Sequence, residues 1–349
     1  MRVRRGSAAY PGQPSARPFL RQLAPALQSL KQALSPMKVG AVSLYAGERI
    51  EPLSDNDLPL IVVSRNERRF IPPFLQHYRS LGVTRFLWVD DQSNDGSTQL
   101  LAREPDVDLY ASNVRFKEAA RGRLWRQMLV NAYGRKRWYV SVDLDEFLVY
   151  RDHERTPLAK VIASLENRSI RHLAAPMLDM YPPGLVRKAE YGFEGESRMP
   201  WDAANLFDAA GYTLRSFRHG LDIRGGVRTR AFGTMPQIAK FPLMYWDALT
   251  SLKSGIHTPA PYWRNNVPIL GNLLHFKFFS DFEDAFKTTV ANGQHFKGGD
   301  FYRQILDGIT DPDELVLESE VSAVYCGSED LFKRGFFSDW RSIAATAPR

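Results

Sequence analysis

Three carboxylates crowd the exit of one apolar run. Residues 138–142 are close to continuously apolar, and Asp143-Leu144-Asp145-Glu146 follows at once. Carboxylates packed this tightly resist ionising together unless positive charge stands among them. A divalent cation with oxygen ligands meets that need, so the spacing points to metal-assisted chemistry on an anionic substrate. The plain alternative is a charged turn after a strand. Two more polar clusters also follow apolar runs: Ser64-Arg65-Asn66-Glu67, and Asp90-Asp91-Gln92-Ser93-Asn94-Asp95-Gly96-Ser97.

The elements that must position these clusters are legible in the first half of the chain. Strands are expected over 58–63, 85–89, 107–110 and the run ending at Asp143. Helices are expected from Pro72-Pro73 to about 81, from Ser97 to about 102, and over 116–133, the last carrying Arg121, Arg123 and Arg126. Strand and helix alternate, which calls for a mostly parallel sheet flanked by helices. Ligands in such sheets bind beyond the carboxyl ends of the strands, where all three clusters fall. Each cluster alone has a bland reading as a turn or cap, Asp95-Gly96 above all.

The second half is less regular. A helix is expected over 157–166, and a strand over 172–177 leading to Asp179. Residues 185–236 read as long loops around a binding face. A short strand is expected over 238–242, and a longer one over 270–279 bearing His275 and Lys277. Ser280-Asp281-Phe282-Glu283 reads as a capping box for a helix to about 291, and a further helix covers 300–309. Tyr181, Tyr191, Trp201, Tyr212, Trp246, Tyr262 and Trp263 can stack on sugar rings or simply pack the loops. There is no internal repeat.

Charge separates the N-terminus from the rest. Residues 1–47 hold Arg2, Arg4, Arg5, Arg17, Arg21, Lys31 and Lys38 and no acid, so the remaining 39 Lys/Arg balance all 39 Asp/Glu. A neutral body with a basic tail argues against nucleic acid as a partner. The tail reads as a solvated extension or as a peripheral contact with an anionic membrane surface. Leu20, Leu23, Leu27, Leu30 and Leu34 mark one amphipathic helix within it. No apolar run is long enough to span a bilayer or to serve as a signal peptide, so a cytoplasmic, at most membrane-associated, protein is expected. One cysteine, Cys326, rules out an internal disulfide, and Cys and His are too scattered for a structural zinc site.

The order and spacing of Ser64-Arg65-Asn66-Glu67, Val89-Asp90-Asp91 through Ser97, and Val142-Asp143-Leu144-Asp145-Glu146-Phe147 resemble the nucleotide-sugar-dependent family 2 glycosyltransferases, in the branch whose motif reads Asp-x-Asp-Glu-Phe. The resemblance covers about 58–150 and continues more weakly through Lys240, Gly255-Ile256-His257 and His275-Phe276-Lys277. It implies one Rossmann-like catalytic domain of the glycosyltransferase A type: an N-terminal extension over 1–57, a donor half over 58–150, and an acceptor half over 151–349. It also implies a nucleotide-sugar donor, a UDP- or GDP-sugar first, and a glycan or lipid-linked acceptor, as in polysaccharide assembly. Asn66, Glu67, Asp90 and Asp91 would bind the donor with Asp143, and Arg121 or Lys240 would add donors to its diphosphate. Mn²⁺ or Mg²⁺ would sit on Asp143 and Asp145, with His275 ahead of His257 as a further ligand. The family inverts the anomeric centre, which needs a base. Its usual Glu-Asp base motif is not evident here. Asp179 stands in as first choice, with Asp222 and Asp247 as rivals.

Two other classes compete. A haloacid-dehalogenase-type phosphatase also places Asp-x-Asp after an apolar strand, but on its first strand and followed two residues on by Thr or Val. Here Phe147 holds that position and three strand–helix units precede the motif. A non-catalytic nucleotide-sugar or glycan-binding protein on the same fold would explain the absent base motif.

Overall fold

The computed structural model describes residues 43–46, 51–192, 198–252 and 255–343. The expected helix around Leu20–Leu34 and the basic tail lie outside them. A seven-stranded sheet has the order β1-β4-β3-β2-β5-β12-β7. Its strands are β1 Leu44–Ala46, β2 Pro59–Ser64, β3 Arg85–Asp90, β4 Val107–Ser112, β5 Arg137–Asp143, β7 His172–Leu173 and β12 Leu243–Trp246. The run β4-β3-β2-β5 is parallel, while β1, β12 and β7 join antiparallel at the two edges. This is the expected mixed α/β architecture with a mostly parallel central sheet flanked by helices.

The chain goes outward from β2 to β3 and β4, then returns to place β5 on the other side of β2. The strand order therefore reverses between β2 and β5, where an α/β sheet opens its ligand crevice. In register, Ser64 pairs with Asp90 and Val63 with Asp143, so three polar strand ends lie side by side. β2 and β3 are almost wholly buried, as strands covered on both faces must be.

The apolar run does not continue as one strand. Leu144 and Asp145 form a turn. β6, Glu146–Tyr150, enters a second sheet of order β6-β13-β8, with β13 spanning Gly271–Phe276 and β8 Met177–Met180. The expected strand over 172–177 is likewise divided between the two sheets. Asp179 therefore lies inside a strand rather than after one. Phe147 anchors the switch: it is fully buried and meets Phe74, Trp201 and Phe276 edge-on. The large sheet takes β7 and β12 from the second half of the chain, and the core is continuous across both halves.

Other expectations are corrected. The helix expected over 116–133 is regular only over Arg123–Tyr133. Ala120, Arg121 and Gly122 take positive φ, so Arg121 sits in the preceding turn and not on the helix. Residues 185–236 contain a strand, Leu206–Asp208, a hairpin of Thr213–Phe217 with Gly220–Arg224, and a helix, Val227–Phe232. No residue of the first hairpin strand is buried, so it carries no alternation of buried and exposed positions to read. Residues 238–242 are extended but not a strand, the strand beginning at Leu243. Helix Phe282–Asn292 forms without the capping box: Asp281 makes no cap bond and instead pairs with Arg69 at 2.8 Å. Tyr181, Tyr191, Tyr212, Trp246 and Tyr262 are buried, so they pack the molecule rather than line a sugar surface; Trp263 is exposed. No described helix is long and apolar enough to cross a membrane.

Candidate functional site

The positive charge that the three carboxylates require comes from side chains. Asp143 Oδ1 accepts from Arg126 Nη2 at 2.6 Å and its Oδ2 from Lys240 Nζ at 2.8 Å. Lys240 also donates to Glu146 Oε1, and Glu146 Oε2 accepts the Asp143 backbone N–H at 3.1 Å. Asp145 pairs with Lys277 and has His275 Nε2 at 3.5 Å. Burial alone would raise each of these carboxyls. At Asp143 the charges of Lys240 and Arg126 outweigh it, and at Asp145 those of Lys277 and His275 do, so both are held below the usual range. At Glu146 burial wins and the carboxyl is raised despite Lys240.

Local structure fixes each cation. Arg126 lies in the first turns of helix Arg123–Tyr133, and a Cβ on Gly122 would approach its Nη1 to 2.7 Å. A glycine at positive φ is therefore required beside it. Lys240 sits in the stretch before β12, where the carbonyls of Lys240 and Ile238 accept from the N–H groups of Ala175 and of Met177 at the start of β8. Lys277 follows β13 directly. On the second sheet, Glu146, His275 and Asp179 share one register across β6, β13 and β8. Neighbours in register point to one face. Accordingly Asp179 Oδ1 lies 2.6 Å from His275 Nδ1, while its Oδ2 accepts from Arg228 Nε at 2.7 Å. Burial would raise Asp179, but Arg228 and His275 hold it low.

The expected residues fare differently. Asp90 and Asp91 are buried at the end of β3. Asp90 Oδ2 accepts from the Ser93 N–H at 2.9 Å, and its Oδ1 has no hydrogen-bond partner among the described residues. Asp91 pairs with Arg115 at 3.0 Å. Asn66 is exposed, and its side chain accepts from the Asn94 N–H, bracing one loop against another. Asp95 is a turn and cap residue: it accepts from the backbone of Arg68 and Ser97 and from the Ser97 hydroxyl. Asp95→Ala should cost about 1–2 kcal/mol by chemical denaturation and leave ligand binding unchanged.

Asp179 has one partner on each oxygen, His275 and Arg228, which suits orienting His275. Asp247 is remote: β12 runs antiparallel to β5 with Trp246 opposite Arg137, so Asp247 lies at the far edge of the sheet, paired with Arg264. Asp222 pairs with Arg224 on the hairpin. His257 Nδ1 lies 2.9 Å from the Ala239 carbonyl, and burial with Lys240 nearby pushes it down to about 4.

Sequence reading missed several groups. Arg228 comes from a helix hidden in a stretch read as loops. His295, pushed down to about 4 by burial with Lys277 adding, feels Asp143 and Asp145, and Tyr302 lies against it at 5.4 Å between ring centroids. Glu67, expected as a donor ligand, is half-buried, and its side chain makes neither a hydrogen bond nor an ion pair among the described residues. Burial and the charge of Asp145 push its carboxyl up to about 7, against the pull of Lys277.

A divalent ion on Asp143, Asp145 and His275 has the right donor chemistry but does not fit this arrangement. Both oxygens of Asp143 and one of Asp145 are held by side-chain cations, and no three His, Cys, Asp or Glu side chains among the described residues are placed to hold a metal. What the site offers is a balanced set of buried charges, with Arg126 Nη1 and Arg228 Nη2 buried and without hydrogen-bond partners among the described residues. Such N–H groups are costly to leave unmet, and an anionic ligand would satisfy them.

No family model and no curated protein matches the chain. Among solved structures it is similar to the WbbM bifunctional glycosyltransferase in its apo form, at 14% identity and TM-score 0.23, over 37% of this chain and 24% of that one. It is also similar to 4-diphosphocytidyl-2C-methyl-D-erythritol synthase, at 11% identity and TM-score 0.26, over 54% of this chain and 75% of that one. The chain thus spans about a quarter of the length of the first. At these scores the functional reading is carried by the residues of this chain.

Proposed function

We propose that this chain transfers a sugar from a nucleoside-diphosphate donor, a UDP- or GDP-sugar first, to a hydroxyl of a glycan or lipid-linked acceptor. One observation carries the reading: Asp90 and Asp143 end the strands on either side of β2 at the strand-order reversal, and Asp143 and Asp145 hold Arg126, Lys240 and Lys277 there, with Arg228 on Asp179. Asp90 Oδ1 is a buried acceptor waiting for a donor, which a base N–H or a ribose hydroxyl supplies. The four cations face the diphosphate. They stabilise the charge that gathers on the leaving phosphate oxygen as the glycosidic bond forms.

The acceptor hydroxyl must give up its proton. We assign that role to Glu67, at the end of β2, because its carboxylate is unengaged and titrates near neutrality. Asp179 instead holds His275 in place. A phosphatase nucleophile at Asp143 is disfavoured, since Arg126 and Lys240 occupy both of its oxygens.

A thermal-shift and calorimetric screen of UDP, GDP, CDP and dTDP tests the reading. One of them should stabilise the wild type, by about 2.7 kcal/mol at a hundredfold excess over Kd, and should fail to stabilise Asp90→Ala. If none binds in any buffer, with or without Mn²⁺, the transferase reading is wrong.

A further inference from the structure

The Asp-x-Asp motif invites a metal, yet three of its four carboxylate oxygens already face side-chain cations. We infer that Asp143 and Asp145 have no resident divalent ion: they position Arg126, Lys240 and Lys277, and these built-in cations take the diphosphate themselves. The diphosphate half of this inference rests on the function proposed above. The other half does not.

Asp143 is gripped from two sides, at 2.6 Å by Arg126 and 2.8 Å by Lys240. Lys240 is doubly held, because Glu146 is its second partner. Glu146 is fully buried and has Lys240 as its one ion-pair partner among the described residues, so Lys240 cannot leave without breaking that pair. Lys277 is held by Asp145 in the same way. A divalent ion on these carboxylates would crowd its two positive charges against the Lys240 and Lys277 ammoniums and the Arg126 guanidinium already there, and like charges that close repel.

Asp143, Asp145, Glu146 and Asp179 already face Arg126, Lys240, Lys277 and Arg228. These cations keep unused donors for phosphate oxygens. An ammonium has three N–H groups; Lys240 commits two to carboxylates and Lys277 one. Arg126 and Arg228 each keep a terminal nitrogen without a partner among the described residues.

The test titrates Mn²⁺ into the full chain and follows the spectrum of the free ion by electron paramagnetic resonance. The wild type should leave that signal undiminished. Lys277→Ala frees Asp145 and should raise Mn²⁺ affinity by about tenfold or more. In parallel, calorimetry compares the nucleoside diphosphate found by the screen in EDTA and in Mn²⁺. The two affinities should agree within about threefold. Stoichiometric Mn²⁺ uptake by the wild type, or nucleotide binding that disappears in EDTA, overturns the inference. Absence of nucleotide binding under both conditions overturns the transferase reading and the diphosphate half with it, while the Mn²⁺ titration on the wild type still decides whether the motif holds an ion. That arm needs no variant to fold.

Discussion

Lys240→Met is expected to destabilise the protein by about 3–5 kcal/mol. The side chain is 7% exposed, and it serves Glu146, at 1%, and Asp143, at 35%. Asp143 keeps Arg126 after the substitution. Glu146 loses its one ion-pair partner among the described residues and keeps the Asp143 N–H as its hydrogen bond. A carboxylate buried without its cation is the costly outcome, and Met fills the space without replacing the charge. Removing both charges should be far gentler, so Lys240→Met with Glu146→Gln should recover most of the loss.

The pH dependence identifies the cause. In the wild type, burial opposes the Lys240 ammonium, but Asp143 and Glu146 outweigh it and raise its proton affinity. Its contribution is therefore complete below the ordinary lysine range and is lost only as pH rises through the raised value. In the variant, Glu146 escapes its cost by taking a proton, which becomes easier as pH falls. The deficit should thus be larger at pH 8 than at pH 5. Urea midpoints at unchanged slope measure it. A deficit below about 1 kcal/mol that is flat with pH would mean that the pairs behave as screened surface contacts.

How much of this was legible in the sequence depends on distance along the chain. The sheet was readable because β2, β3 and β5 are short apolar runs, each ending in a polar cluster. Their ends meet because parallel crossovers leave little freedom. The need for positive charge at Asp143 was also readable, from carboxylate crowding alone. Its source was not. Lys240 and Lys277 reach the motif from 97 and 132 residues away, through the stretch before one strand and the end of another, with no periodic signal. Arg228 was hidden in a short helix among residues read as loops. The break at Leu144-Asp145 was invisible because Glu146–Tyr150 continues the apolar pattern into a different sheet. A strand that changes sheets keeps its composition and changes only its partners.

Glu67→Gln is expected to lower turnover by about 10²–10⁴-fold while leaving nucleoside-diphosphate affinity within a few-fold of the wild type. Release of the nucleoside diphosphate from the matching sugar donor, in the presence of acceptor, measures it. The wild-type rate should climb as pH rises through about 7, where Glu67 loses its proton, and the variant should lack that limb. Stability gives a second readout that needs no acceptor. A carboxyl raised in the folded state keeps its proton between its ordinary value of 4.5 and about 7, where the unfolded chain has released it. Folding therefore loses stability as pH climbs across that window. Gln carries no such penalty, so the variant should match the wild type below pH 4.5 and exceed it above pH 7, by on the order of 2 kcal/mol. Full turnover in the variant would remove Glu67 from the chemistry. Loss of nucleotide binding together with turnover would return it to the donor-binding role that its place after β2 first implied, and the base would have to come from outside the strand ends altogether.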